Sequence, residues 1–336
     1  MQPVVRYCAT PAGRVAYSTT GDGPPLLVES GWVTHVVDQL GLFSFGAFLR
    51  GLAERFTVIR YDKPGCGLSD RTGVDLSFDA QVSVALAVAD AVRARRFALF
   101  GASQGGQLAA ALAARHPERV TALVLYGMCA DGGDLAPVEA RDAIVALVRA
   151  HWGIGSTLMT GIFVPDPTAE EAEAMGRSQR TGATAEVAAE LLAVYYGTDV
   201  RSLLPSIRTR TAVLHRTADT ATRFELGREV ASLIPDATLV PLPGKGHLFY
   251  HGDWTGVLTA TLDFLAEPAA TPLTGRELEV ARLVAAGLTN HSIATRLSVA
   301  PRTAESHVEN IRRKLHVRSR AQIAAWVARI GGTPDE

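Results

Sequence analysis

One segment decides the fold of this chain: Phe97-Ala98-Leu99-Phe100-Gly101-Ala102-Ser103-Gln104-Gly105-Gly106. An apolar run typical of a buried strand enters it, and Gly101, Ser103 and Gly105 fall at G-x-S-x-G spacing. An Ala-rich stretch with leucines at helical spacing follows and stops near His116-Pro117. Strand, tight turn and helix are the context that a nucleophile elbow requires, with the serine hydroxyl exposed at the positive end of the helix. The segment therefore predicts that Ser103 is a nucleophile.

The length and the charge distribution both indicate two domains. The 336 residues are many for a single core. Charge is nearly balanced, with 33 Lys and Arg against 34 Asp and Glu, but the part from Ala270 onward has four more basic than acidic residues. A basic tail on an acidic body predicts that the tail meets a polyanion. Because no signal region and no membrane-length apolar run is present, we expect a cytoplasmic protein without membrane contact.

The three cysteines, Cys8, Cys66 and Cys129, are odd in number and lack the spacing of a metal site. Free thiols in a reducing compartment are therefore expected. We expect neither a metal ion nor a cofactor.

Apolar runs typical of short strands alternate with helical stretches up to Tyr126 and again from Ala212. This order predicts an α/β fold with a mostly parallel sheet that helices cover on both faces. From 131 to 206 the alternation stops. Helical stretches are predicted there near 137–151, 168–180, 184–197 and 199–204. We expect an inserted helical cap with a pocket beneath it.

Two residues follow late strands and complete a catalytic pattern with Ser103. Asp219 comes after the strand near 212–215, and His247 comes after the last strand, 238–242. A serine needs an imidazole to take its proton, and the imidazole needs a carboxylate to fix its tautomer. Loops at the carboxyl ends of parallel strands converge, so Ser103, Asp219 and His247 are predicted to form a triad. The competing acids are Asp131 and Asp134, and the competing bases are His215 and His251.

An oxyanion hole is the remaining catalytic part. We expect its donors to be the backbone N–H groups of Trp32, in the loop after Leu26-Leu27-Val28, and of Gln104. The ligand pocket is expected between Ser103 and the cap. Its predicted lining is Gly31, Trp32, Ser103, Gln104, His247, Trp152 and Tyr195.

With the elbow, the acid loop and Gly244-Lys245-Gly246-His247 in this order, residues 10–266 resemble the α/β-hydrolase family. Gly31-Trp32 and the turn 62–69 also resemble that family's oxyanion loop and following turn. Many members have His where Ser30 stands, so the support of this loop is open.

The chain changes character after a first domain, 1–266, and a proline-bearing linker, 267–273. In the second domain, 274–336, Thr274 and Glu277 predict a capping box that opens a helix. Further helices are predicted for 289–297, 301–315 and 319–330. Helix, short turn, helix predicts DNA binding, and a bundle that serves dimerisation is the alternative.

Four stretches of this domain strongly resemble the LuxR-type helix-turn-helix: Leu273-Thr274-x-Arg276-Glu277-x-Glu279-Val280, Gly287-Leu288-Thr289-Asn290-x-x-Ile293-Ala294, Thr303-x-x-x-His307 and Asn310-Ile311-x-x-Lys314-Leu315. The resemblance implies that the third helix enters the groove of double-stranded DNA and that the protein binds as a dimer. Glu305, Ser306 and Glu309 stand at its groove-facing positions. The residues expected to meet DNA around them are Arg302, Thr303, Arg313 and Lys314.

Two departures from the LuxR-type pattern carry expectations. Lys is frequent in the family where Glu305 stands, so base preference is expected to differ here. Ser is frequent where Ala300 stands, and Ala at that cap weakens the helix start by about 1 kcal/mol. In the last helix, Trp326 and Ile330 are candidates for a dimer contact, and the alternative is that Trp326 packs inside its own domain.

The two resemblances together predict a transcription regulator that senses a small apolar ester or lactone. A catalytically active serine esterase or lactonase with an attached DNA-binding domain is one alternative. A cap that serves only as an interaction surface is another, and an intact triad counts against it. Because the linker is short, ligand and DNA binding are expected to be coupled.

Overall fold

The computed structural model describes residues 3–266, 273–315 and 317–329. The chain divides into two compact units, Met1–Ala266 and Glu267–Glu336. Most of the expected linker, 267–272, lies outside the described residues, as does Ile330.

An eight-stranded sheet is the centre of the described part of the first unit, with strand order β1-β2-β4-β3-β5-β6-β7-β8. Strands β1 and β2 are antiparallel to their neighbours and the others are parallel. The mostly parallel sheet is confirmed. The strands are β1 (Val5–Thr10), β2 (Gly13–Thr20), β3 (Pro25–Glu29), β4 (Thr57–Tyr61), β5 (Phe97–Ala102), β6 (Val120–Tyr126), β7 (Thr211–Arg216) and β8 (Thr238–Leu242).

Helices cover both faces of the sheet. In chain order they are α1 (Phe45–Ala53), α2 (Phe78–Ala91), α3 (Gln104–Arg115), α4 (Val138–Ala150), α5 (Trp152–Phe163), α6 (Ala169–Gly182), α7 (Ala185–Tyr196), α8 (Phe224–Leu233) and α9 (Trp254–Ala266). Helices α2, α3 and α8 share one buried apolar cluster with the sheet, and α1 and α9 share another with its opposite face. Burial on both faces explains why β5 is apolar along its whole length.

Helices α4 to α7 form the cap between β6 and β7. Helices α4, α5 and α7 share an apolar cluster that also includes Trp32. Helix α5 was not predicted, because three glycines interrupt its pattern. Gly155 is required there, since a Cβ on it would lie 2.8 Å from the Val148 Cα. The helix predicted at 199–204 was wrong, and a single 3-10 turn, Leu204–Ser206, stands at its end.

The second unit is a small all-α domain of α10 (Gly275–Ala285), α11 (Asn290–Arg296), α12 (Pro301–Lys314) and α13 (Arg320–Arg329). Its capping box is present: the Thr274 hydroxyl accepts from the Glu277 N–H, and the Glu277 carboxylate accepts from the Thr274 N–H. Buried Val280, Ile293 and Ile311 belong to its core. Trp326 packs, partly buried, against this same core, as the alternative reading of that residue has it.

No helix within the described ranges combines the length and apolar character needed to cross a membrane. Cys8, Cys66 and Cys129 are free thiols, and burial raises the pKa of Cys66 to about 11. A thiol with that pKa stays protonated at neutral pH and is a packing residue.

Candidate active site and candidate DNA-binding helix

Ser103 stands in the sharp turn between β5 and α3, with φ 54° and ψ −126°. This conformation is strained for a residue other than glycine. The strained conformation persists because the surrounding structure holds the backbone in place. The Ser103 N–H donates to the Tyr126 carbonyl at 2.9 Å, which ties the turn to the next strand. This backbone aims the serine side chain away from the sheet, as a nucleophile elbow requires.

The two glycines of the motif are required because neither position has room for a Cβ atom. A Cβ on Gly101 would lie 2.5 Å from the Ala109 Cβ of α3, and one on Gly105 would lie 2.3 Å from the Glu29 carbonyl oxygen of β3. Real Cβ atoms do not approach so closely. The G-x-S-x-G spacing is therefore the packing condition that brings α3 close to the sheet.

His247 and Asp219 meet in loops after β8 and β7. The His247 Nδ1 lies 2.9 Å from the Asp219 Oδ2, and both residues are buried. The other carboxylate oxygen accepts from the backbone N–H groups of Ala221 and Thr222 at 2.9 and 3.0 Å. Burial acts to raise the pKa of Asp219, but the charge and hydrogen bond of His247 outweigh it and lower that pKa. The carboxylate thus stays charged, and its hydrogen bond to Nδ1 makes Nε2 the ring nitrogen of His247 that is not bonded to Asp219.

The competing acids are engaged elsewhere. Asp131 lies 2.6 Å from the Arg201 guanidinium, which also bonds Asp134. Both carboxylates belong to a partly exposed cluster around that arginine. Asp219 is the carboxylate bonded to the histidine.

The competing bases are also committed. His215 is buried with its Nε2 2.8 Å from the Thr222 carbonyl, and burial lowers its pKa. The His251 Nε2 lies 2.9 Å from the Glu171 carboxylate. Neither imidazole lines the cavity at Ser103.

The expected oxyanion donors come from two segments, the start of α3 and the loop after β3. Gln104 is the first residue of α3, so its N–H has no acceptor within the helix. Gly31, with φ +94°, turns the loop after β3, and Trp32 follows it. Among the described residues, no hydrogen bond uses the backbone N–H of Trp32 or Gln104. Both therefore remain candidate donors to an oxyanion.

The cap supports the loop that bears Ser30 in place of histidine. The Trp32 Nε1 donates to the Ala188 carbonyl of α7 at 2.9 Å. Its ring makes edge contacts with Trp152 at 5.7 Å and with Phe163 at 6.3 Å between centroids. The indole of Trp32 therefore fastens the oxyanion loop to the cap.

A mostly apolar cavity opens at Ser103 between the sheet and the cap. Of the predicted lining, Gly31, Trp32, Ser103 and His247 are part of it. Sequence reasoning missed the rest, which comes partly from cap helices and distant loops and partly from the residues that directly follow His247. The missed side chains include Gln39, Leu42, Tyr126, Phe163, Met175, Ser178, Gln179, Leu248, Phe249 and Tyr250.

Three predicted pocket residues do not line this cavity. Trp152 packs behind Trp32 and donates its Nε1 to the Ala183 carbonyl. Tyr195 is buried, with its hydroxyl in contact with the Ser103 side chain and 3.6 Å from the Cys129 Sγ. Trp152 and Tyr195 thus support the site from behind.

Gln104 is the third, because its side chain turns into the protein. Its Oε1 accepts from the buried Lys63 Nζ at 2.9 Å, and its Nε2 donates to the Leu191 carbonyl of α7 at 3.0 Å. Burial lowers the pKa of Lys63 to about 8, and the nearby Glu29 carboxylate partly offsets this. A lysine in a glycine-rich turn is ordinarily exposed, so the sequence alone carried no signal for this contact.

Helix α12 presents the expected DNA-contacting side chains. Ala304 and Val308 are buried against the rest of the domain. Ala300 caps the helix without a side-chain hydrogen bond, and Pro301 begins it. The opposite side of the helix is exposed, and its candidate residues are Arg302, Thr303, Glu305, Ser306, Glu309 and Arg313.

Lys314 requires a correction. Its Nζ lies 2.6 Å from the Glu277 Oε2, a largely buried carboxylate that also caps α10 at Thr274. The hydrogen bond from Lys314 is the main cause that lowers the pKa of Glu277 to about 2. Lys314 joins α12 to α10 inside the domain, so its ammonium group is engaged by Glu277 and is not extended toward a DNA phosphate.

The first unit is similar to hydrolases. Residues 24–253 match the family described as alpha/beta hydrolase fold. A pimeloyl-acyl-carrier protein methyl ester esterase of Chromobacterium violaceum is 29% identical over 68% of this chain and 89% of its own length. The protein of the same description from Nitrosomonas europaea is 37% identical, but that match covers only 32% of this chain and 38% of the other protein. A hydrolase structure from Pseudomonas aeruginosa PA01 matches with a TM-score of 0.67 at 26% identity, covering 78% of this chain and 98% of the other.

The second unit is similar to bacterial regulators. Residues 271–327 match the family described as bacterial regulatory proteins, luxR family. The nitrate/nitrite response regulator protein NarL of Escherichia coli is 37% identical over 76 residues, which is 22% of this chain and 35% of that protein. Both resemblances stated from the sequence are confirmed.

Proposed function

Because the chain belongs to the α/β-hydrolase fold family and carries a regulatory domain of the luxR family, we propose that it is a DNA-binding regulator that senses a small apolar ester or lactone. One observation carries the proposal. The arrangement of Ser103, His247 and Asp219 opens into a capped cavity on the same chain as a helix-turn-helix domain. This function places the protein in the cytoplasm, together with the DNA that it binds.

The lining of the cavity supports an uncharged ligand. No Asp, Glu, Lys or Arg is among the described residues that line it. Aromatic and aliphatic walls such as Phe163, Met175 and Phe249 favour an apolar group. A charged ligand would lose its hydration there without a partner of opposite charge.

The polar groups of the site support an acyl ligand. A carbonyl placed against Ser103 has two candidate backbone donors, the N–H of Gln104 at the start of α3 and that of Trp32 in the loop after β3. Gln179 also lines the cavity, and its buried Oε1 is without a hydrogen-bond partner in the described part of the chain. A hydroxyl or N–H group on the ligand would satisfy that oxygen.

The DNA-binding part of the proposal is a dimer that reads two half-sites through α12. Glu305, Ser306 and Glu309 are exposed on this helix and face the bases. Thr303 and the exposed arginines Arg302 and Arg313 contact phosphates. Because Trp326 packs in its own core, we assign the dimer contact to no particular residue.

A serine-directed aryl phosphonate tests the sensing role. We expect it to add one adduct mass to the full chain and none to Ser103→Ala. The labelled protein should then differ from the unlabelled protein in affinity for a duplex selected from random sequences, measured by fluorescence anisotropy. A labelled protein with unchanged DNA affinity would contradict sensing, and an unlabelled serine would contradict its activation.

An active serine esterase or lactonase with an attached DNA-binding domain is the second candidate. The unengaged backbone donors of Trp32 and Gln104 favour it, since binding alone does not require them. Multiple turnovers of the ester ligand, measured by product release, would favour this function. A single acylation without release would favour the sensor.

A further inference from the structure

A second cavity of about 450 Å³ lies between α1 and strands β2 and β4. It shares no lining residue with the cavity at Ser103. Its chemistry is different as well. Two of its lining residues, Arg50 and Arg60, are cationic, and no Asp or Glu is among the described residues that line it.

Arg60 is the unusual member of this lining. The residue is only 5% exposed, yet no carboxylate of the described residues lies within 4.0 Å of its guanidinium. One of its terminal nitrogens donates to the Val36 carbonyl at 3.2 Å, and the guanidinium stacks on the Phe45 ring at 4.6 Å. Its Nε is buried without a hydrogen-bond partner.

The acid whose charge acts on Arg60 does not form an ion pair with it. Asp62 uses one carboxylate oxygen to accept from the Val36 N–H at 2.7 Å and the other to accept from the Leu68 N–H at 2.8 Å. Burial lowers the pKa of Arg60 to about 10, and the charge of Asp62 only partly offsets this. A buried guanidinium with unused donors is costly unless an anion completes its surroundings.

Strand pairing explains why these groups share one wall. Ser18 pairs with Arg60 and Thr20 pairs with Val58, so the four side chains lie on the same face of the sheet. That face carries hydroxyls, one guanidinium and an aliphatic group. Leu49 of α1 closes the opposite wall, and Arg50 beside it is exposed at the rim.

We propose that this cavity is a binding site for a small carboxylate with a short apolar tail. The Arg60 guanidinium takes the carboxylate, Arg50 adds attraction from the rim, and the tail lies against Leu49 and Val58. A guanidinium is always charged at neutral pH and binds carboxylates through charge-assisted hydrogen bonds. Since the occupant binds the same guanidinium that holds the Val36 carbonyl, the site adjoins the loop that carries Trp32.

Calorimetric titration of hexanoate into the full chain tests the site, with hexanol as the uncharged probe that has the same tail. We expect hexanoate to bind at least about tenfold more tightly than hexanol. Arg50→Glu should weaken hexanoate binding by about tenfold, because it reverses a charge at the rim. Arg55→Glu is the matched control: Arg55 is exposed just beyond the same helix and does not line the cavity.

Arg60→Gln should abolish hexanoate binding while circular dichroism reports a folded chain. If that variant does not fold, the comparison of hexanoate binding by Arg50→Glu and Arg55→Glu still tests the proposal. Equal binding of hexanoate by these two variants would overturn the proposal. Equal affinity for hexanol and hexanoate would overturn it too, since the arginines would then contribute nothing.

Discussion

Asp219 and His247 are 28 residues apart in the chain and meet at 2.9 Å between Oδ2 and Nδ1, each buried at the carboxyl end of its own strand. The carboxylate has its second oxygen held by two backbone amides. It therefore cannot rotate freely, and the imidazole that it binds has a fixed tautomer.

Asp219→Asn is expected to lower the rate of Ser103 acylation by an aryl ester by about 10³-fold or more, because the amide supports the wrong imidazole tautomer. Ser103→Ala and His247→Ala should lower it by at least as much. Stopped-flow absorbance of the released phenol measures the rate. Asp131→Asn is the matched control, and a loss there with none in Asp219→Asn would contradict our choice of acid.

Lys314→Met is expected to destabilise the second domain rather than to remove a phosphate contact. It leaves the largely buried Glu277 carboxylate without its cationic partner. Urea unfolding followed by circular dichroism should give a lower midpoint for that domain's transition than in Arg313→Met. If Lys314→Met unfolds as the wild type does and only DNA affinity falls, our correction is wrong.

The ion pair between Lys314 and Glu277 also predicts that the loss of stability in Lys314→Met depends on pH. The folded pKa of Glu277 is about 2 and its ordinary value is 4.5, so the folded state favours the charged carboxylate. The resulting stability is fully present above the ordinary pKa and is lost as pH falls toward 2. The gap in unfolding midpoint between wild type and Lys314→Met should therefore narrow between pH 5 and pH 2. A gap that does not change with pH would argue against the ion pair.

DNA binding by the full chain is expected to weaken steeply as salt rises, since phosphate contacts release counterions. Arg302→Ala and Arg313→Ala should each weaken binding to all sequences and reduce the slope of log affinity against log salt by about 1. Glu305→Lys should instead change which sequence is selected from a random pool. Salt-independent affinity would contradict the assignment of α12.

Ligand and DNA binding are expected to be coupled, and coupling is reciprocal. The affinity for an ester ligand should change with operator DNA present by the same factor as DNA affinity changes with ligand present. Two calorimetric titrations check this. Equal ligand affinity with and without DNA would mean that the domains act independently.

The sequence predicted those parts of the site that depend on local geometry. Ser103 needed only glycine spacing and a strand before a helix, while Asp219 and His247 needed only positions after strands. Pocket walls depend on packing between distant segments, and there the predictions for Trp152, Tyr195 and Gln104 failed.

Two further cases have the same cause. The buried partner of Lys314 comes from another helix, and Arg60 lies in a strand whose pattern gives no sign that its guanidinium is buried. Charged side chains are read as exposed from sequence, because only the folded structure reveals a buried contact.

The buried hydrogen bond from the Gln104 Nε2 to the Leu191 carbonyl joins α3 to the cap helix α7, and we expect it to affect the rate of cap opening. If the cap lifts, the bond to Leu191 must break before water can replace it, and an unpaired buried amide costs about 1–3 kcal/mol. At about 1.4 kcal/mol for each factor of ten, this slows cap opening by about 5- to 150-fold. A molecule enclosed beneath the cap would then leave at the rate at which the cap opens, and not at a rate set by the molecule's own contacts with the cavity. The residence time of the signal would then depend on the side chain of Gln104, which does not line the cavity.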